Sequence, residues 1–156
     1  MEGPKTSVAK AVCVTSDYCF QYSNLVDTLV APLKKDVVDL ALRVPLVKGS
    51  SGFNIGDYGT ADGSSSMSLI RELMVRLKDK HGPQTSFKVF YEDTEMNDFN
   101  SLFKRLAQPG SYLRDLKNVF AFASGTDFYR QCVPSSSMNI ILCFTAAHWL
   151  SRKSTL

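Results

Sequence analysis

Between Asn24 and Val47 apolar side chains return at helical spacing, at Leu25, Leu29, Leu33, Val37, Leu40 and Val44, a pattern that predicts helix. Pro32 falls inside this stripe and Pro45 near its end. Proline removes an amide donor and crowds the preceding turn, so the pattern predicts two helices or a kink at Pro32, and a break at Pro45. Lys48-Gly49-Ser50-Ser51-Gly52 is a turn signal, and the residues up to about Tyr22 show no clear period. Beyond the turn, Phe53–Tyr58 reads as a short strand, followed by a Gly- and Ser-rich loop, Gly59–Ser66. Serines able to cap a helix precede Leu69, Ile70, Leu73, Met74 and Leu77, which form one apolar face until His81-Gly82-Pro83 stops it. Phe87–Tyr91 is a second strand. Asp98 is placed to cap a helix carrying Phe99, Leu102, Phe103 and Leu106, which Pro109-Gly110 ends.

Val119–Ala123 and Met138–Phe144 complete the pattern as third and fourth strands, each a nearly continuous apolar run. Such runs suit parallel strands buried on both faces, and the order of elements is that of an α/β protein with a parallel sheet. The fourth strand is followed by about a dozen residues, too few to cover one side of it. The pattern therefore predicts an incomplete sheet of about four parallel strands with flanking helices, and an apolar edge at the fourth strand that a partner would pair. The expected organisation is an N-terminal helical segment over 1–48 and a partial α/β domain over 49–156.

A chain of 156 residues has room for one sizeable core. The formal net charge of +3 is too small, and the longest basic runs are too short, to trace a nucleic-acid groove. Cys13, Cys19, Cys132 and Cys143 form no C-x-x-C pair, and only His81 and His148 could join them, so reduced thiols rather than a metal site are expected. No apolar stretch is long enough to span a membrane, and the first residues do not open a signal peptide. A cytoplasmic location is the default expectation.

Ligands of open α/β sheets sit outside the carboxyl ends of the strands. The first such end is Ile55-Gly56-Asp57-Tyr58-Gly59-Thr60-Ala61-Asp62-Gly63. Gly56, Gly59 and Gly63 do not have the spacing of the dinucleotide fingerprint. A carboxylate at Asp57 would repel a pyrophosphate and suits a cofactor with a cationic end, such as the amino group of S-adenosylmethionine; a Gly-rich turn with Asp57 capping the next helix is the alternative. At the second end, an acid among Glu92, Asp93 and Glu95 could accept both ribose hydroxyls, or the cluster could be a solvated acidic loop. At the third, Asp127 could take a hydrogen bond from an adenine amino group while Phe128 packs on the ring, although an aromatic near a strand end is more often core. The fourth runs into His148 and Trp149, the only tryptophan.

These motifs together resemble the SABATH methyltransferases. Asp57–Gly63 is similar to the family's Asp-Leu-Gly-Cys-Ser-x-Gly in its acid and both glycines. Asn97-Asp98-Phe99-Asn100 matches an Asn-Asp-Phe-Asn motif; Asp127-Phe128-Tyr129 with Pro134 resembles Ser-Phe-Tyr-x-x-x-x-Pro; His148-Trp149-Leu150-Ser151 matches His-Trp-Leu-Ser. Order and intervals agree from about residue 50 onward. The resemblance implies a Rossmann-like methyltransferase sheet that binds S-adenosyl-L-methionine. Asp57 and Gly59 would line the methionine end, with Gly63 also in the cofactor-binding loop. Asp93 would bind the ribose, Thr94 would lie beside the adenosine, and Asp127 and Phe128 would meet the adenine; Trp149 and His148 would meet the substrate. The chain departs from the family around Tyr18–Asn24, where Tyr, Ser and Asn occur without the spacing of the family's Ser-Tyr-x-x-Asn-Ser-x-x-Gln and no Gln falls at the position that grips a substrate carboxylate. It departs again at Thr94-Glu95-Met96, where the family has Leu-Pro-Gly.

The resemblance implies methyl transfer to a small-molecule acceptor, a carboxylate by preference. Displacement at a sulfonium asks mainly for alignment and exclusion of water, and an ionised carboxylate needs no general base. An amine or phenol acceptor would call on His148. The alternative is a short non-catalytic variant that binds the cofactor weakly, or pairs as a homodimer or with a partner chain across the open sheet edge. Neither nucleic acid nor membrane is expected as a partner, and Ser154-Thr155-Leu156, a possible peptide ligand for strand-adding domains, is better explained by chance.

Overall fold

The computed structural model describes residues 12–13, 23–46, 49–50, 52–144 and 146–149, with only the backbone path for 12–13, 23–31 and 148–149. The family-motif positions at Tyr18 and Tyr22 and the terminal Ser154-Thr155-Leu156 lie outside these residues. The elements in chain order are β1 (Val12–Cys13), α1 (Ser23–Ala41), β2 (Gly52–Tyr58), α2 (Met67–His81), β3 (Ser86–Asp93), α3 (Phe99–Leu106), α4 (Tyr112–Asp115), β4 (Val119–Gly125), β5 (Ile140–Cys143) and a 3-10 turn at Ala146–Trp149. All strand pairs are parallel, in the order β1-β5-β2-β3-β4. The four predicted strands are present, and the one-turn α4 and the two-residue β1 are additions. The result is an incomplete Rossmann-like sheet with flanking helices.

Of the two alternatives at Pro32, the structure has one helix through the proline rather than two, and it ends at Ala41; the expectation for the fourth strand is corrected. Tertiary packing offsets the backbone hydrogen bond that proline removes: Val37, Val38 and Ala41 join the same core as Phe53 and Leu77, and Lys34 pairs with Glu72 of α2 at 3.0 Å. The fourth predicted strand, β5, is not an edge. It lies between β2 and β1, with Val12 opposite Leu142 and Cys13 opposite Cys143. Two paired residues close that side, and they fall in a stretch whose sequence carries no period. Among the described residues the long exposed edge is β4, which pairs with β3 alone.

The connections explain what covers each face. From β2 through α2 to β3, and through α3 and α4 to β4, the chain advances with its helices on one side. The return from β4 to β5 runs the other way across the sheet, so a right-handed crossover must pass over the opposite face. It does so without a helix, as a strap over residues 126–139. Its end is tied down where Asn54 Nδ2 donates to the Ser137 carbonyl (2.7 Å) and Asn139 N donates to the Asn54 carbonyl (3.0 Å).

The helical face carries the core. Phe53, Ile55, Phe87, Val89 and Tyr91 pack under Leu69, Ile70, Leu73, Met74 and Leu77 of α2 and Leu102 and Leu106 of α3, all fully buried. Tyr91 and Tyr112 hydrogen-bond through their hydroxyls at its centre. Asp98 caps α3 as predicted, accepting from the amides of Asn100 (3.1 Å) and Ser101 (3.2 Å). On the strap face Phe120 and Phe122 are 52% and 44% exposed.

Candidate functional site

The loop after β2 is held by β3 through its backbone. The amides of Gly59 and Thr60 donate to the Glu92 carbonyl (2.9 and 3.1 Å), and the Ala61 amide donates to Asp93 Oδ2 (2.8 Å). Asn97 Nδ2 donates to the Ala61 carbonyl from the other side (2.9 Å). The start of the strap joins the same junction, where Thr126 N donates to the Asp93 carbonyl (2.9 Å). Glu92 and Asp93 thus gather the ends of β2, β3 and β4 into one place.

Asp57 is 2% exposed and lies under this loop, not above it. Its Oδ2 accepts the hydroxyls of Ser66 (2.5 Å) and Thr60 (2.9 Å). Burial pushes its carboxyl up to about 6, against the pull of the Ser66 and Thr60 hydroxyls. Ser66 stands at the N-cap position of α2 but makes no side-chain cap, because its hydroxyl is spent on Asp57. The carboxylate expected to face a cationic ligand is therefore turned inward, where it braces the loop.

The two loop glycines have steric reasons to be glycine. Gly59 has φ +73°, and a Cβ there would come within 2.1 Å of the Ala146 Cβ. This close approach seats the Ala146–Trp149 turn, with the backbone of His148 and Trp149, beside the glycine loop. Gly63, at φ +75°, leaves room for Leu102 and Met67, whose side chains would be 2.8 and 2.9 Å from a Cβ.

Asp93 is half-buried at the junction. Each of its carboxylate oxygens receives one backbone amide, Oδ1 from Thr94 and Oδ2 from Ala61, both at 2.8 Å. A carboxylate oxygen can accept more than one bond, so both retain capacity for a ligand's hydroxyls. Thr94 is exposed beside it. Asp127, exposed, accepts from the Tyr129 amide through Oδ1 (3.0 Å), and half-buried Phe128 tilts against Tyr129 with ring centroids 4.9 Å apart. The groups around the junction are acceptors, and the nearby Arg105 is engaged by Asp62. Such a set of acceptors suits hydroxyls and cations.

Glu92 was legible only as part of an acidic cluster. The residue is 1% exposed, and among the described residues its oxygens accept no well-formed hydrogen bond, although the Cys132 thiol and the Gly59 amide approach them. Burial pushes its carboxyl up to about 7, with the charge of Asp93 adding to the effect. Strand parity was the available signal: it places Glu92 on the face of Lys88 and Phe90, away from the helices. A separate cavity of about 370 Å3 opens between α2, α3 and α4, lined by Ser64, Ser68, Arg71 and Arg105 among others. Its two arginines are paired with Asp115 and Asp62, and it lies away from the strand ends.

The fold is that of a cofactor-dependent methyltransferase. A solved structure of loganic acid methyltransferase with SAH superposes with a TM-score of 0.64 at 23% identity, over 85% of this chain and 38% of that one. The family described as SAM dependent carboxyl methyltransferase matches residues 20–155, and the chain belongs to it. Its relatives include 3,7-dimethylxanthine N-methyltransferase 2 of Coffea arabica, 28% identical over 83% of this chain, and gibberellic acid methyltransferase 1 of Arabidopsis thaliana, 28% identical over 77%. The chain spans 36% and 34% of the lengths of those two relatives. Among the described residues no helix is long and apolar enough to cross a membrane.

Proposed function

We propose that this chain carries the cofactor-binding part of an S-adenosylmethionine-dependent methyltransferase acting on a small-molecule acceptor, a carboxylate by preference, in the cytoplasm. The observation that carries the reading is the junction at Asp93, where the ends of β2, β3 and β4 meet around a carboxylate with lone pairs to spare. Asp93 would accept the ribose hydroxyls, with Thr94 beside the adenosine. Asp127 and Phe128 at the start of the strap would take the adenine amino group and ring face. Gly59 would line the methionine end and Gly63 would keep the turn of the loop tight, while Asp57 acts from beneath, by holding Ser66 and Thr60. S-adenosylmethionine supplies an electrophilic methyl group when bound. The Ala146–Trp149 turn beside Gly59 would bring His148 and Trp149 to the acceptor, His148 serving as base only where the acceptor is an amine or phenol.

The test is calorimetric titration of the purified chain with S-adenosylhomocysteine, alongside Asp93→Asn and Asp93→Ala. The expected result is binding that both substitutions weaken by about tenfold to a hundredfold, the scale of hydrogen bonds to a charged group. A folded chain without affinity for the ligand sinks the reading.

A second reading has its own observation. Phe120 and Phe122 on the β4 edge and strap face are exposed, which favours a homodimer or partner chain covering that side, with or without turnover. Light scattering of the chain across concentration would separate a monomer from a self-associating species.

A further inference from the structure

Among the described residues two buried side chains hold polar atoms without a well-formed hydrogen bond, His81 and Glu92, and only Glu92 sits at the strand-end junction. Its backbone and its side chain face different tasks. The carbonyl holds the amides of Gly59 and Thr60, and the next residue holds Ala61 and the first amide of the strap. The side chain projects the other way. It stands in register with Tyr58 on β2 and Ser124 on β4, with the Cys132 thiol of the strap against it. That thiol donates to the Arg130 carbonyl (3.3 Å). The ionisable groups acting on Glu92 are Asp93 on its own strand and Cys132 and Asp127 on the strap, and Glu92 acts in turn on Tyr58 of β2. All are acidic groups; the Cys132 thiol and the Gly59 amide are donors that favour the carboxylate, but neither is a counter-ion, so an ionised Glu92 would be a buried charge left unbalanced.

The strap above it is tied down at both ends. Thr126 N is bonded to the Asp93 carbonyl at one end, and Ser137 and Asn139 are bonded to Asn54 at the other. Between them the described bonds are short-range, such as Tyr129 N to Asp127 Oδ1 and Gln131 Nε2 to the Val133 carbonyl. We infer that Glu92, held as a neutral acid beneath the strap, is a positioning residue for the cofactor site: its ionisation lifts the strap that carries Asp127 and Phe128 and slackens the peptide that holds the glycine loop. This rests on the proposed reading of the strand ends as that site. With the carboxyl raised to about 7, the neutral form holds below neutrality; as pH rises through that value the side chain must reach water, and the strap lies in its way.

The experiment titrates S-adenosylhomocysteine into the full chain from about pH 6 to about pH 8.5, for wild type and Glu92→Gln. Hydrogen exchange of residues 59–61 and 126–136, corrected for intrinsic rates, is followed on the same samples without ligand. In wild type the affinity should fall by about tenfold for each unit above neutrality, with strap protection falling alongside it, and Glu92→Gln should keep both level. A level wild-type profile, or an equal fall in both chains, would overturn the inference; the latter would point to Asp57 or the ligand. If the folded chain binds no ligand at any pH, the cofactor reading fails and exchange still decides. Strap protection that depends on pH in wild type but not in Glu92→Gln upholds the positioning role, and any other pattern removes it. Should Glu92→Gln not fold, Glu92→Leu makes the same comparison.

Discussion

On one face of the sheet Phe53 and Phe87 stack with ring centroids 6.0 Å apart and are almost completely buried. On the other, Phe90 and Phe122 stack at 5.2 Å, yet Phe122 is 44% exposed. The ring contacts are alike. What differs is the cover: α2 lies over the first pair, with His81 against Phe53 and Lys78 over Phe87, while the second face has a strap without a helix. Stacking between neighbouring strands does not exclude water unless another layer closes over it. The stability of this chain should therefore reside on the helical face, and its response to ligand and pH near the strap.

The largest expected contrast is in packing. Leu73→Ala removes a fully buried side chain from α2 and should cost about 2–5 kcal/mol in chemical denaturation. An equal effect from Phe122→Ala would break the comparison, because it would mean that the strap face is closed in solution. Next comes Asp57, the buried acid under the loop. Its carboxyl is raised from 3.8 to about 6 in the folded chain, so the folded state holds the proton more tightly than the unfolded one. Its contribution is most favourable below about pH 4, declines as pH rises towards 6, and is level above that. Asp57→Asn keeps an acceptor for Ser66 and Thr60 and removes this window. The stability difference between variant and wild type should therefore shift by about 3 kcal/mol in favour of the variant between pH 4 and pH 7. A difference that stays constant with pH would show that Asp57 is hydrated. The smallest effect is Phe122→Ser, expected to change stability by less than about 1 kcal/mol while reducing any concentration-dependent association seen by light scattering.

Much of this was legible in the sequence because it is local. The stop at His81-Gly82-Pro83, the cap at Asp98 and the apolar face of α2 each depend on a few neighbouring residues, and each stands as read. The junction residues were legible as types. The pairing of Asp93 with the Ala61 amide was not, since it joins positions 32 residues apart. Asp57 illustrates the limit: an acid between glycines at a strand end suggests a ligand contact, and only the placement of Ser66 turns it inward.

By itself the sequence determined that this is a parallel α/β chain, where its strands and glycine loop lie, and which family it resembles, because period, turn chemistry and motif spacing are properties of adjacent residues. Only the tertiary structure decided that α1 continues through Pro32, that β5 is interior and β4 the edge, and that Glu92 is buried beneath the strap. Each of these depends on packing or pairing between distant parts of the chain, where burial against a neighbouring layer outweighs a local preference of a few kcal/mol.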